Sequence, residues 1–117
     1  MEIVMTPIEL AKRYMSSFFG EKPIEDLALV LDSDLEFIGP FYRFNSSKEY
    51  VNALKEDPPG DASYELIQEY ENECSCCLVY KFKKPNIESM MAQLFEIKGN
   101  KITKIRLIFD SSDFANR

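Results

Sequence analysis

The chain has 117 residues, of which 45% are hydrophobic and 29% are charged, a length and composition typical of one globular domain with a single core. Its 20 acidic and 14 basic residues give a formal net charge of -6 at pH 7, which disfavours nucleic-acid binding because such a chain repels a phosphate backbone. No apolar window reaches the length needed to cross a bilayer, so we expect a domain over residues 1–117 that binds neither nucleic acid nor membrane.

Two capping boxes predict helices in the N-terminal half. Thr6 and Glu9 open the first helix, and Ser46 and Glu49 open another that ends before Pro58. In a capping box the hydroxyl accepts from the backbone N–H of the acidic residue, whose carboxylate accepts from the backbone N–H of the hydroxyl residue. Apolar residues at helical spacing follow each box. These elements are the first and third of three predicted helices.

The segment between them predicts a shorter helix and two brief strands. The helix begins near Pro23 and ends at 32–34, where Asp-Ser-Asp breaks the pattern. A strand over 35–38 and a return strand over 41–44 follow, separated by Gly-Pro. The residues that this helix is predicted to bury are Ile24, Leu27, Ala28 and Leu31.

From Ala62 onward the hydrophobic pattern alternates, which predicts four long strands in an antiparallel meander. Gly99 and Asn100 form the turn between the last two strands, and residues 111–117 are expected to be a tail. This order indicates an α+β fold in which three N-terminal helices pack on a curved, mostly antiparallel sheet. The residues predicted to share a face on the first three long strands are Tyr64, Leu66 and Tyr70; Cys76, Leu78, Tyr80 and Phe82; and Met91, Gln93, Phe95 and Ile97.

Cysteine and histidine usage limits the chemistry. Cys74, Cys76 and Cys77 lie within four residues, and such an odd, crowded set is a poor disulfide framework. We therefore expect free thiols and a cytoplasmic protein. The sequence contains no histidine, which excludes Ser-His-Asp and Cys-His nucleophile arrangements and leaves no way to complete a tetrahedral zinc site. We expect no metal and no cofactor.

The order of elements resembles that of the nuclear transport factor 2-like superfamily, which includes ketosteroid isomerase and the SnoaL-like polyketide cyclases. The segments that carry the resemblance are Ala-Lys-Arg-Tyr at 11–14, Phe-Ile-Gly-Pro-Phe at 37–41, and Gly-Asn-Lys-Ile-Thr-Lys-Ile-Arg-Leu-Ile-Phe-Asp at 99–110. The resemblance implies a single domain with a core over about 7–114, a cystatin-like cone around an apolar pocket, and a homodimer formed through the sheet. In this superfamily the fold says little about the reaction.

The resemblance to ketosteroid isomerase is incomplete at the site. Tyr14 stands where that enzyme has its oxyanion tyrosine, and Gln93 stands where it has a protonated aspartic acid. Gly39 takes the place of the base, so the resemblance does not carry the isomerase activity to this chain. Asp110 resembles an acidic residue common in SnoaL-like sequences and is the one catalytic acid or base we nominate. The competing interpretation of Asp110 is a solvated strand end.

The polar residues on apolar faces also have two interpretations. Gln93 lies between Met91 and Phe95 on an apolar strand face, where its amide must find partners or destabilise the fold. A polar pocket floor and a buried hydrogen-bond network both meet that requirement. Tyr14 is either a pocket donor or a tyrosine at the edge of the core whose hydroxyl reaches the backbone or water.

Three functions are consistent with the sequence. The preferred one is a domain that binds a small apolar ligand, without a cofactor, in an apolar pocket. The second is a SnoaL-like isomerase, cyclase or dehydratase in which Tyr14 donates a hydrogen bond and Asp110 moves a proton. The third is a homodimeric interaction scaffold. The predicted ligand-binding residues are Tyr14, Gln93, Phe18, Phe37, Phe41, Met91 and Phe95.

Overall fold

The structure, a computed structural model, describes residues 4–115. Three α-helices, two short 3-10 helices and six strands account for most of them. The helices are α1 (Pro7–Phe18), a 3-10 helix (Ile24–Asp26), α2 (Leu27–Val30), α3 (Ser47–Glu56) and a C-terminal 3-10 helix (Ser111–Phe114). The strands are β1 (Leu31–Ile38), β2 (Arg43–Phe44), β3 (Ser63–Glu71), β4 (Ser75–Lys84), β5 (Ile87–Lys98) and β6 (Lys101–Phe109).

The predicted caps open both longer helices. At α1 the Thr6 hydroxyl accepts from the Glu9 backbone N–H at 3.1 Å, and the Glu9 carboxylate accepts from the Thr6 backbone N–H at 2.8 Å. At α3 the Ser46 hydroxyl accepts from the Glu49 backbone N–H at 3.1 Å, which forms the cap without the reciprocal half of the predicted box. Each cap satisfies backbone donors that the helix itself leaves without partners, so the sequence positions the two helices that border the site.

All six strands form one sheet in the order β2-β1-β6-β5-β4-β3. Only the β1–β6 pair is parallel, and the other four pairs are antiparallel. The predicted α+β class and mostly antiparallel sheet are therefore confirmed. The core lies between α1 and one face of the sheet, where Leu10 and Met15 of α1 are buried with Leu78, Phe95 and Ile105.

The second helix is shorter than predicted. α2 has four residues, Ala28 is exposed, and Val30 is buried in its place. Leu31 is buried as the first residue of β1, so the strand begins four residues earlier than the predicted Leu35. The polar residues at 32–34 lie inside β1, where its pairing with β6 is irregular between Leu31 and Glu36. An irregular edge accommodates them without burying their side chains.

The return strand is also shorter than predicted. β2 contains only Arg43 and Phe44, whereas Phe41 and Tyr42 are exposed. The Gly39 backbone N–H donates to the Tyr42 carbonyl at 2.9 Å and closes the turn before β2. This turn holds two aromatic side chains at the edge of the cavity described below.

One residue in β3 reverses the predicted strand face. The pairing of β3 with β4 shifts between Leu66 and Gln68, so that Ile67 is an extra residue in the strand. Because side chains alternate along a strand, a single extra residue exchanges its two faces. Tyr64 and Leu66 face the helices as predicted, but Tyr70 is 56% exposed on the opposite face.

The predicted tail is partly structured. Asp110 and the C-terminal 3-10 helix follow β6 directly, and Phe114 packs against Phe109 with ring centroids 5.0 Å apart. An aromatic side chain shortly after a strand returns to cover the apolar end of that strand. Residues 116 and 117 of the predicted tail lie outside the described residues.

Candidate functional site

A cavity of about 450 Å³ lies between α1, α3 and the sheet. More than half of its lining residues are aromatic, and they come from α1, α3, β1, β4, β6, the segment around β2 and the C-terminal 3-10 helix. Cavities of this size and apolar character are typical of small-molecule sites. Four of the lining side chains are buried and carry polar atoms: Tyr14, Tyr50, Tyr80 and Gln93.

These four residues form one hydrogen-bonded set, called here the phenol–amide network. The Tyr80 hydroxyl donates to the Gln93 side-chain carbonyl at 2.7 Å. The Tyr14 and Tyr50 hydroxyls hydrogen-bond to each other, and the Gln93 side chain also hydrogen-bonds to Tyr14. The network explains how a glutamine is tolerated on an apolar strand face, because its polar atoms have buried partners.

Ring packing and strand register hold the network in place. Phe37 stacks on Tyr50 with ring centroids 4.7 Å apart, and the edge of Phe95 meets Tyr14 at 5.4 Å. Gln93 lies opposite Leu78 on β4. Tyr80 follows Leu78 by two residues and is on the same face of that strand. Such diagonal neighbours in a sheet are within reach of long side chains.

Burial keeps the phenols of the network protonated. It raises the pKa of Tyr14 to about 12, although hydrogen bonds from Tyr50 and Gln93 oppose that rise. The pKa of Tyr50 is well above 10.0, first because of burial and then because of the nearby Tyr14. Burial also raises the pKa of Tyr80. At neutral pH these groups can donate hydrogen bonds, and none of them is a base.

One phenolic proton of the network is not needed for the hydrogen bonds within it. The proton of Tyr80 goes to Gln93, and one proton of the Tyr14–Tyr50 pair is used within that pair. The Gln93 side chain also holds the Tyr14 pKa lower than burial alone would. The second proton of the pair has no other acceptor among the side-chain hydrogen bonds of residues 4–115. Since both tyrosines line the cavity, that proton is available to an acceptor inside it.

The other predicted ligand-binding residues divide into two groups. Phe18, Phe37, Phe41 and Met91 line the cavity. Phe95 is fully buried and supports the ring of Tyr14 from behind. Phe95 does not line the cavity. The sequence placed it on the same strand face as Gln93, and that pattern alone does not separate a residue of the cavity wall from a residue of the core.

Sequence analysis placed Tyr80 on an apolar strand face and assigned neither Tyr50 nor Tyr80 to the site. The signal was present, because a buried phenol needs a hydrogen-bond partner and the apolar faces held several candidate phenols and one amide. What the sequence lacked was the packing of α3 over the sheet, which brings Tyr50 to Tyr14. Phe114 was also missed, because the predicted tail assigned it no structure.

Asp110 lies outside the cavity lining and is exposed. Its carboxylate accepts from the Ser112 backbone N–H at 2.9 Å and from the Ser112 hydroxyl at 2.7 Å. These hydrogen bonds hold the pKa of Asp110 below its ordinary value. The geometry is that of an N-cap for the C-terminal 3-10 helix, so this carboxylate is ionised and directed at its own backbone.

The carboxylates that do line the cavity are Glu56 and Asp57, both exposed and both at the C-terminal end of α3. Gly39, which takes the place of the ketosteroid isomerase base, also lines the cavity. A Cβ at Gly39 would lie 3.2 Å from the ring of Phe37. The glycine therefore lets that ring approach closely enough to stack on Tyr50.

Within residues 4–115 no three His, Cys, Asp or Glu side chains come together as a metal site. Cys74 is exposed and precedes β4, so it shares no strand face with Cys76. The Cys76 thiol is buried, donates to the Pro7 carbonyl at 3.4 Å, and has its pKa raised to about 12 by burial. Such a thiol stays protonated and unreactive. No described helix is long and apolar enough to span a membrane.

Comparison with known proteins is informative about the fold. No known family model matches the chain, and no curated protein matches it in sequence. An NTF2-like protein of unknown function from Cytophaga hutchinsonii has a TM-score of 0.84 at 18% identity, over 99% of this chain and 100% of that one.

Two further solved structures carry functional names. An LEH-like epoxide hydrolase from M. tuberculosis has a TM-score of 0.79 at 15% identity, over 92% of this chain and 84% of that one. A candidate SnoaL-like polyketide cyclase from Jannaschia sp. CCS1 has a TM-score of 0.76 at 8% identity, over 93% and 88% of the two chains. At identities this low the TM-scores establish a shared fold, and a reaction has to be argued from the residues of the site.

Proposed function

We propose, from the nuclear transport factor 2-like fold that the chain shares with these proteins, that its cavity binds a small, largely apolar ligand. Tyr14 and Gln93 orient the ligand, and Phe18, Phe37, Phe41 and Met91 contact its apolar surface. Phe95 holds Tyr14 in position. The observation that carries the proposal is the phenol–amide network, which offers one phenolic proton to an acceptor inside an otherwise aromatic cavity.

The energetics support a ligand that is mostly apolar. Each Å² of apolar surface removed from water contributes roughly 25 cal/mol, and aromatic walls provide most of the surface available here. A single hydrogen bond adds little net affinity but discriminates strongly, because a ligand without an acceptor leaves a buried donor unpaired. The ligand is therefore expected to combine an apolar body with one well-placed carbonyl or similar oxygen.

Catalysis of the isomerase, cyclase or dehydratase type is the less supported alternative. Such reactions need a titrating group beside the reacting atoms, and structures with the same fold include proteins named for them. The network supplies hydrogen-bond donors of the required kind. The carboxylates that line the cavity, Glu56 and Asp57, are exposed, and Asp110 caps a helix outside it. We therefore favour binding over catalysis.

Native mass spectrometry of protein purified from its own host tests the proposal directly. The expected result is an added small-molecule mass that is lost on denaturation. Tyr14→Phe and Gln93→Leu should each weaken binding of that molecule by about tenfold, since each change removes a group that orients its acceptor. Tyr70→Phe is the matched control, because that phenol lies on the opposite face of the sheet.

A ligand-free mass combined with failure to bind any apolar ketone would contradict the proposal. Equal weakening by Tyr70→Phe would show that the losses come from the fold and not from the cavity. Thermal unfolding of all three variants separates these cases. A loss of binding free energy that exceeds the loss of unfolding free energy supports an orienting role.

The proposal includes the wider features that the resemblance implies. Residues 1–117 form a single domain with a core over 7–114, the helices and sheet enclose the ligand as a cystatin-like cone, and two copies associate through the sheet. Exposed apolar side chains on the outer face of the sheet support that association. The cysteines of the described chain are free thiols, which suits a cytoplasmic location.

A further inference from the structure

The mouth of the cavity is negatively charged. The last turn of α3 forms part of the lining through Ala53, Leu54, Glu56 and Asp57. Glu56 and Asp57 place two carboxylates there, and the C-terminal end of a helix adds the negative end of its dipole. Three sources of negative potential therefore meet at one side of the opening.

No cation in the described chain offsets this charge within the lining, which contains neither lysine nor arginine. The basic residue in the last turn of α3 is Lys55, but its ammonium lies 3.7 Å from the Glu25 carboxylate and outside the lining. A cavity wall of one sign with low-dielectric surroundings selects ligands of the opposite sign.

Aromatic side chains at the edge of the cavity also favour a positively charged ligand group. Phe41 and Tyr42 are exposed at the edge of the cavity, and their rings contact each other at 6.4 Å between centroids. The faces of aromatic rings carry negative quadrupole potential and attract cations within about 6 Å. An anion at the mouth would meet the two carboxylates without a compensating partner.

We infer that the cavity takes an apolar molecule with a hydrogen-bond acceptor at its inner end and a cationic group, such as a protonated amine, at its outer end. This inference rests on the proposed function and specifies its ligand class. The acceptor meets the free phenolic proton of the Tyr14–Tyr50 pair. The cation lies at the mouth, beside Glu56 and Asp57.

Three probes that share one ketone and ring system test this ligand class. They are naphthyl methyl ketone, the same ketone with an aminomethyl group at the far end of the ring system, and the same ketone with a carboxylate at that position. Isothermal titration calorimetry at low salt gives the three dissociation constants. We expect the cationic ketone to bind about fivefold more tightly than the neutral one, and the anionic ketone to bind more weakly than either.

A charge-matched pair of variants locates the effect. Glu56→Gln with Asp57→Asn should reduce the ratio of cationic to neutral affinity to about one. Glu73→Gln with Glu96→Gln removes the same charge at the opposite end of the strands, where Ser75 pairs with Glu96, and should leave that ratio unchanged. The control separates a local effect at the mouth from the attraction of the net charge of -6.

The possible outcomes distinguish this inference from the proposed function. The inference is supported if the cationic ketone binds more tightly than the neutral one, and if this preference is lost in Glu56→Gln with Asp57→Asn and kept in Glu73→Gln with Glu96→Gln. Equal binding of the three ketones, tighter binding of the anionic ketone, or an equal effect of both double variants overturns it while leaving the apolar cavity as the binding site. Failure of all three ketones to bind contradicts the proposed function, and the inference fails with it.

Discussion

The oxygens of Tyr14, Tyr50 and Tyr80 lie in a part of the core where charge is costly. Burial raises the pKa of each phenol, so the folded protein resists their ionisation and the unfolded chain does not. A group whose pKa is higher in the folded state stabilises the fold below its unfolded pKa, and that stability is lost as pH rises through the folded value. The network therefore couples alkaline pH to unfolding.

We predict that the free energy of unfolding begins to fall near pH 9, where the Cys76 thiol of the unfolded chain ionises, and falls further from pH 10 towards pH 12 as the buried phenols ionise. For Tyr14 the change in pKa from 10.0 to about 12 corresponds to about 3 kcal/mol. Urea unfolding across this pH range measures the loss. Phenolate absorbance followed in parallel should show that the buried phenols ionise only as the fold is lost.

Tyr14→Phe provides the internal test of this pH dependence. Without the Tyr14 hydroxyl, the decline above pH 10 should become shallower, while Tyr70→Phe should leave it unchanged. A decline with the same slope in Tyr14→Phe would show that other groups cause the alkaline loss.

How far the sequence predicts single residues depends on the kind of neighbour involved. Gln93 was singled out because an amide on an apolar strand face needs a partner, and that argument requires only the strand itself. Tyr50 reaches the network from a helix 36 residues away from Tyr14 in the chain, a distance that no local pattern spans. Asp110 was nominated from resemblance alone, and its local partner, Ser112, decides its actual environment.

At the scale of elements, the C-terminal 3-10 helix closes one side of the cavity. The ring of Phe114 meets Phe41, Phe82 and Phe109 with centroids 5.0–6.1 Å apart. The buried Ser89 hydroxyl donates to the Asp113 carboxylate at 2.7 Å and ties the helix to β5. Short terminal segments with few such ties open more readily than the rest of a fold.

We predict that Ser89→Ala loosens this element without unfolding the domain. Losing a hydrogen bond to a carboxylate costs about 2 kcal/mol, and the loss should appear chiefly as faster hydrogen exchange in residues 111–114 and in the rate at which an apolar ligand leaves the cavity. Exchange measured by mass spectrometry and stopped-flow ligand release report these two effects.

Ser111→Ala is the control for this prediction. Ser111 is exposed at the start of the same helix, so the change alters the same element without touching its tie to β5. Equal release rates for Ser89→Ala and the unmodified protein would show that Phe114 does not gate the cavity.

Element boundaries followed the sequence where local chemistry fixes them. The caps at Thr6 and Ser46 and the turn at Gly99 and Asn100 needed only neighbouring residues, and the structure places all of them as predicted. The extra residue in β3 had no comparable signal, because Ile67 suits either strand face. The short α2 was overestimated because helical spacing continued into residues that pair with β6.

At the scale of the molecule, the sheet has one helix-covered face and one exposed apolar face. Met90 and Leu94 of β5 and Ile108 of the adjacent β6 are exposed on the outer face, and Tyr70 of β3 lies on the same face on the far side of β4. An apolar patch of this kind on a folded chain marks an interaction surface. A second copy of the chain is the occupant that the proposed function assigns to it.

We predict that the protein sediments as a dimer at micromolar concentration and that Leu94→Glu converts it to a monomer. The change removes an apolar side chain from the interface and buries a carboxylate there, a cost that Arg106, which lies opposite position 94 on β6, offsets only in part. Sedimentation equilibrium measures the change. Leu29→Glu makes the same substitution at a leucine that is 66% exposed on α2, and it should leave the dimer intact.

A monomer at all concentrations for the unmodified protein would contradict the dimer and leave the outer face for another partner. Dissociation of both variants would indicate a general effect of added negative charge on a chain that already carries -6. The cavity lies on the helix-covered side, so binding of the ketones should survive in the Leu94→Glu monomer.

The extra residue in β3 has a consequence for how this chain can vary in length. Beyond Ile67 the strand turns Glu69 and Glu71 towards α1, where the Glu69 carboxylate lies 3.2 Å from the Lys12 ammonium and that of Glu71 accepts from the Ile8 backbone N–H at 3.1 Å. The contacts between α1 and β3 therefore depend on whether the number of β3 residues before Glu69 is odd or even. Natural or engineered changes in the length of β3 should therefore be tolerated in steps of two residues and rejected in steps of one.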